Sequence, residues 1–198
     1  MRLPERLDPP FLLRAYAAGI FPMADDAGAI SWYAPDPRAV LEHDDLRVSR
    51  SLRATIRSNR FTVRYSTAFE SVMRACAAPR ADGGGTWIDE EFVRVYTAPH
   101  HAGFAESVEA WRDSALVGGL YGVSIGGAFM GESMFSRERD ASKVCLVALV
   151  ERLRSRGYAL HDTQFITPHL ERLGVREIPR ADYLRRLRQA LTLPCVFR

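Results

Sequence analysis

The chain has 198 residues, 47% of them hydrophobic and 26% charged, which excludes a disordered tail or a collagen-like fibre and allows a buried core without disulfides. Three cysteines, Cys76, Cys145 and Cys195, stand far apart with no Cys-x-x-Cys pair, which fits reduced thiols in a cytoplasmic protein and not a secreted scaffold. Net charge is only +3, but residues 1–80 carry 12 arginines against 9 acids, residues 81–140 carry 4 against 10, and residues 151–198 carry 10 against 5, a distribution suited to two partners of opposite charge.

The first ten residues hold charges and prolines where a secretory signal would need an apolar run. A short helix is expected over Phe11 to Ala18, stopped by Gly19 and followed by Pro22. Pro35 and Pro37 make Trp32 to Arg38 irregular, and Ala39 to Leu41 suits a short strand. From Arg47 to Arg64 there are six arginines and no acid. Arg50, Arg53, Arg57 and Arg60 are spaced three, four and three apart, so they share one helical face, which is either a solvated surface or a phosphate-binding one.

Phe61 to Tyr65 alternates like a strand, and Ala68 to Ala77 reads as a helix with Phe69, Val72 and Met73 inward. Gly83, Gly84 and Gly85 break the chain before a helix over Asp89 to Tyr96. Strands are then expected over Ala105 to Leu120, Tyr121 to Ile125 and Ala128 to Phe135, forming an antiparallel meander. The uncharged run from Ser114 to Gly131 nears membrane-spanning length, but its six glycines favour strands over a span. Asp140 to Gly157 has an Asp at its cap position, an apolar body, a basic last turn and a glycine stop, the clearest helix in the sequence. A strand over Tyr158 to Phe165, a helix over Pro168 to Leu173, a strand over Val175 to Ile178 and a helix over Ala181 to Leu191 complete an α+β pattern with a mixed sheet.

In the strand Tyr158 to Phe165, period-two alternation puts Asp162 and Gln164 on one side, roughly 6.5–7 Å apart. The same period groups Met130, Glu132 and Met134. An acid inside an apolar segment needs a partner, so these polar groups are either structural hydrogen-bonders or a site. His100, His101, His161 and His169 fit no common metal-ligand spacing, and no metal is expected.

Several ordered motifs carry a resemblance. They are Gly19-Ile20-Phe21-Pro22, Trp32-Tyr33-Ala34-Pro35-Asp36-Pro37-Arg38, Thr86-Trp87-Ile88, Ser107-Val108-Glu109-Ala110-Trp111, Gly118-Gly119-Leu120-Tyr121-Gly122, Gly131-Glu132-Ser133-Met134-Phe135-Ser136-Arg137, Ala141-Ser142-Lys143 and Glu177-Ile178-Pro179-Arg180, with Asp162-x-Gln164 downstream. From about Leu12 to Leu187 the chain resembles the leucyl/phenylalanyl-tRNA–protein transferase family. The resemblance implies a small N-terminal α/β domain (residues 1–82) and a C-terminal acetyltransferase-like (GNAT-like) mixed-sheet domain (residues 83–198). It also implies the reaction: leucine or phenylalanine passes from leucyl-tRNA or phenylalanyl-tRNA to the α-amine of a protein beginning with arginine or lysine, marking that protein for degradation.

Because the aminoacyl ester is already activated, a free amine can attack it directly, and neither metal nor organic cofactor is implied. The resemblance assigns Gln164 to the attacking amine, Asp162 to orienting and polarising the Gln164 amide, and Glu132 to the positive end of the acceptor or the network around Gln164. Leu120, Phe129, Met134 and Leu146 match the lining of the aminoacyl pocket, where His161 stands in place of an apolar residue. Trp87 and Tyr96 match contacts to the terminal adenosine, and the basic face of Arg50, Arg53, Arg57 and Arg60 suits tRNA phosphates. Two further departures are Met23, where tryptophan is frequent, and Asp140, where asparagine is usual.

Two rivals have weaker support. A coenzyme A-dependent acyltransferase would want a glycine-rich pyrophosphate turn, and Ser136 to Lys143 contains no glycine. An RNA-binding module without activity leaves Asp162-x-Gln164 unexplained.

Overall fold

The computed structural model describes residues 7–25, 29–78 and 88–198. In chain order its elements are α1 (Pro9–Ala17), β1 (Phe21–Ala24), β2 (Ile30–Tyr33), β3 (Arg38–Val40), α2 (Arg50–Arg57), β4 (Thr62–Tyr65), α3 (Phe69–Ala77), α4 (Glu90–His101), β5 (Ala105–Arg112), β6 (Ala115–Ile125), β7 (Ala128–Ser136), α5 (Ala141–Ser155), β8 (Leu160–Gln164), α6 (Pro168–Arg172), β9 (Arg176–Ile178) and α7 (Arg180–Ala190). Side-chain caps start several helices: Asp8, Ser49, Asp89 and Thr167 each accept a backbone N–H of the first turn, satisfying a donor that has no partner inside the helix.

Seven strands form one sheet in the order β4-β5-β6-β7-β8-β3-β9, and β1 pairs with β2 separately. All neighbours in the large sheet are antiparallel except β7 and β8. A mixed sheet was expected; its order was not, because β3 inserts between β8 and β9. The sheet also draws β3 and β4 from before residue 82 and its other strands from after it, so a cut between residues 82 and 83 would divide the strands of one sheet.

Apolar side chains cover both faces. One face packs Tyr121 and Met130 against Tyr16 of α1, Val72 and Met73 of α3, Phe92 and Tyr96 of α4 and Leu187 of α7. The other packs Val108, Leu120 and Phe129 against Leu52 of α2 and the buried side of α5, including Cys145, Leu146 and Leu149. Gly118 lets α5 sit directly on β6, since a Cβ there would lie 2.5 Å from the Ala141 Cβ.

Several expectations are corrected. The first strand of the meander ends at Arg112, not Leu120: Asp113 adopts φ +55° in a two-residue turn, and Arg112 pairs with Ala115. Asp tolerates that left-handed conformation, so the turn needs no glycine. The helix expected over Asp89 to Tyr96 runs on to His101 through Pro99. The hairpin of β1 and β2 was not anticipated, because Pro22 lies in its first strand; an edge strand tolerates the missing N–H. Asp140 precedes α5 with φ +70° and makes no side-chain cap; its Oδ1 accepts from Lys143 Nζ at 3.0 Å instead. Among the described residues no helix is long and apolar enough to cross a membrane.

Candidate active site

The parallel pairing of β7 with β8 ends at Met130 opposite Asp162, and two local irregularities follow it. On β7, Tyr121 pairs with Ser133 and Gly122 with Gly131, so Glu132 is the extra residue of a β-bulge. A bulge re-aims the side chains on either side of it. Met130 therefore packs with the α1/α4/α7 face while Met134 packs with the α5 face, and the expected grouping of Met130, Glu132 and Met134 on one side is corrected. On β8, Gln164 adopts φ +67°, a region a non-glycine residue enters only when its surroundings hold it there.

These two irregular residues meet. Gln164 Nε2 donates to Glu132 Oε1 at 2.7 Å, which fixes the orientation of the carboxamide. Glu132 Oε2 is inaccessible and has no partner among the described residues. Burial pushes the Glu132 carboxyl up to about 8. The negative charge of Asp162 adds to that rise, while the Tyr16 hydroxyl, the Arg38 guanidinium and the Gln164 amide pull against it.

Asp162 makes no hydrogen bond to the Gln164 carboxamide, which the resemblance has it orient and polarise; its link to Gln164 is through the backbone N–H. It is fully buried, and its oxygens accept from Arg38 Nε at 2.8 Å, Arg38 Nη2 at 2.6 Å, the Tyr183 hydroxyl at 2.8 Å and the Gln164 backbone N–H at 2.9 Å. Arg38 is only 1% exposed. Its guanidinium lies between the rings of Phe21 and Tyr183, 4.7 and 4.5 Å from their centroids, and Nη1 donates to the Gly19 carbonyl at 3.3 Å. A buried carboxylate is tolerable with a bidentate partner of this kind. Sequence reasoning missed Arg38 and Tyr183. The available signal was an arginine opening the apolar run Ala39-Val40-Leu41, where a cation needs a buried anion.

Tyr96 is also corrected. It is completely buried, with its hydroxyl 2.5 Å from that of Tyr16 and its ring against Phe92 and Tyr121, so it offers no free face for a nucleobase. Burial first, then the Glu132 charge, holds the Tyr16, Tyr96 and Tyr121 hydroxyls well above the usual tyrosine range. Trp87 lies outside the described residues.

Leu120, Phe129 and Leu146 are brought together in one cluster on the α5 face, and Met134, opposite Leu120 on β7, packs against it. His161 borders them, 5.9 Å edge-to-face from Phe129 and buried, with no partner for its Nδ1 among the described residues. Burial and the nearby His43 pull its pKa down to about 3, so the ring is a neutral part of the wall. Arg50, Arg53 and Arg57 lie exposed along α2, and no described carboxylate pairs with them. Arg60 is corrected: the helix ends at Arg57, and the Arg60 guanidinium pairs with Glu138 at 2.9 Å. No group of three or more His, Cys, Asp or Glu among the described residues is arranged to hold a metal ion.

With this geometry in view, the comparisons with known proteins agree with one another. The family profile described as leucyl/phenylalanyl-tRNA protein transferase matches residues 40–188, and that of its N-terminal domain matches residues 5–36. A leucyl/phenylalanyl-tRNA–protein transferase from Gloeobacter violaceus is 57% identical over 193 residues, covering 97% of this chain and 98% of the relative. Those from Herpetosiphon aurantiacus and Rubrobacter xylanophilus are 53% and 54% identical, each over at least 97% of this chain and 99% of the relative. The chain belongs to the leucyl/phenylalanyl-tRNA–protein transferase family.

Proposed function

We propose that the protein transfers leucine or phenylalanine from its tRNA to the α-amine of proteins that begin with arginine or lysine, as a cytoplasmic enzyme. The observation that carries this reading is the Glu132–Gln164 pair at the point where β7 and β8 part. We read the seven-stranded sheet, with its parallel pair separating at the site, as the acetyltransferase-like (GNAT-like) sheet that the resemblance implies.

In the reaction the neutral amine attacks the ester carbonyl. A C–N bond forms, the ester C–O bond breaks, and the ribose oxygen leaves with a proton. Gln164 Nε2 is committed to Glu132, which leaves Oε1 to accept a hydrogen bond from the amine and aim its lone pair. A neutral amide is too weak a base to take the proton. Glu132 instead holds the Gln164 carboxamide through Oε1, and the proton released by the amine departs with the ribose oxygen.

The cluster of Leu120, Phe129, Met134 and Leu146 serves the aminoacyl side chain, with Met134 adaptable to either shape. The exposed arginines of α2 serve tRNA phosphates. Neither a cofactor nor coenzyme A has a step in this scheme, because the donor ester supplies the activation.

The test is mass spectrometry of a peptide beginning with arginine, and of the same peptide beginning with alanine, each incubated with the protein and leucyl-tRNA. Leucine should appear on the arginine peptide alone and be lost with Gln164→Ala. Intact tRNA binding without transfer would instead favour an RNA-binding module.

A further inference from the structure

Asp162 holds both of its oxygens in full use without touching the group that meets substrate. Oδ1 accepts from Arg38 Nε and from the Gln164 backbone N–H; Oδ2 accepts from Arg38 Nη2 and from the Tyr183 hydroxyl. Three separate elements, β3, β8 and α7, thus converge on one carboxylate. Its link to Gln164 is through the main chain, at the residue whose φ of +67° turns it out of the extended strand. Left to itself a glutamine would not stay there, because its Cβ crowds the neighbouring carbonyl in the left-handed region. The hydrogen bond from its N–H to an immobile acceptor keeps it there, and the carboxamide then reaches Glu132 across the gap to β7.

We propose that Arg38 and Tyr183 are positioning residues of the transfer reaction, which act through Asp162 to hold Gln164 in its left-handed conformation and so aim its carboxamide. This rests on the reading of Gln164 as the group that aligns the amine. Tyr183 is the member that can be tested cleanly. Its ring packs against Arg38 and the core, so Tyr183→Phe removes the hydrogen bond to Oδ2 and the long 3.4 Å one that the hydroxyl accepts from Arg38 Nη2, and leaves the direct Arg38–Asp162 pair in place. A purely structural tyrosine would leave catalysis untouched, or would slow it by an amount independent of Gln164.

The experiment is a double-mutant cycle in single-turnover transfer of leucine to an arginine peptide, with Tyr183→Phe, Gln164→Ala and the double variant. Expected are a roughly tenfold lower kcat for Tyr183→Phe, the equivalent of one hydrogen bond to a charged group, and KM values within about twofold for both substrates. The double variant should be no slower than Gln164→Ala alone, because nothing remains to be aimed. A second readout is the side-chain amide resonance of Gln164, which should move in Tyr183→Phe. An unchanged kcat in Tyr183→Phe, or losses that multiply in the double variant, would overturn the proposal. If Gln164→Ala itself kept the full rate, the reading of Gln164 would fail and the positioning role with it. A slow Gln164→Ala beside a fully active Tyr183→Phe would overturn the positioning role alone.

Discussion

Glu132 and Gln164 stand 32 positions apart in sequence and are joined by a 2.7 Å hydrogen bond across the place where β7 and β8 cease to pair. One reaches it from a bulge and the other from a left-handed backbone. Neither would point there from a regular strand.

Burial of the Glu132 carboxyl makes stability depend on pH. The Glu132 carboxyl sits at about 8 in the fold and near about 4.3 in the unfolded chain. Between those values the native state holds the extra proton, so this group makes stability fall as pH rises from about 4.3 to about 8. Melting temperatures at pH 5.5 and 8.5 should show the decline in the wild type, and Glu132→Gln should remove this group's share of it.

Arg38 and Asp162 should behave as a unit. Arg38→Leu leaves a buried carboxylate without its cation and should cost about 3–5 kcal/mol in urea unfolding. Replacing Asp162 with leucine in that background should recover much of the loss, because two apolar side chains need no compensating charge. Transfer activity should not return, since the Gln164 N–H has then lost its acceptor.

The arginines of α2 should act on the donor and not on the fold. Changing Arg50, Arg53 and Arg57 to glutamine should alter stability by less than about 0.5 kcal/mol at these exposed positions. The slope of log affinity for tRNA against log salt should become shallower by about 2 to 3, near one unit per lost phosphate contact. Arg60→Gln should change that slope little, because its guanidinium is engaged by Glu138.

The aminoacyl side chain should report on Met134. Met134→Ala enlarges the cluster at a partly buried position, and competition between phenylalanyl-tRNA and leucyl-tRNA should shift toward phenylalanine by about tenfold, the scale of one or two methylenes in an apolar pocket. Leu146→Ala, at a buried position on α5, should in addition cost about 2–5 kcal/mol of stability.

Gly118→Ala should destabilise the protein by about 1–3 kcal/mol in thermal unfolding. The new Cβ would press on the Ala141 side chain and on backbone atoms of Ala141 and Ser142, none of which can swing away.

What the sequence determined by itself was local or carried by contiguous motifs. The helix of α5, the meander of β5 to β7 and the family were all legible, because helical and strand periods and short glycine-containing motifs depend on near neighbours. The exposed arginines of α2 were legible for the same reason. Tertiary structure alone decided how the site is wired. A bulge at Glu132 shifts the side-chain alternation of β7, so a strict period of two misassigned that strand, and a left-handed Gln164 ends β8 in a conformation that no strand period announces. Arg38 lies 124 positions from Asp162, and only the insertion of β3 between β8 and β9 brings them together. Tyr96 looked available to a nucleobase until the packing of α1 and α4 buried it against Tyr16. In each case the deciding interaction joins residues distant in the chain, and a local pattern holds no information about such a partner.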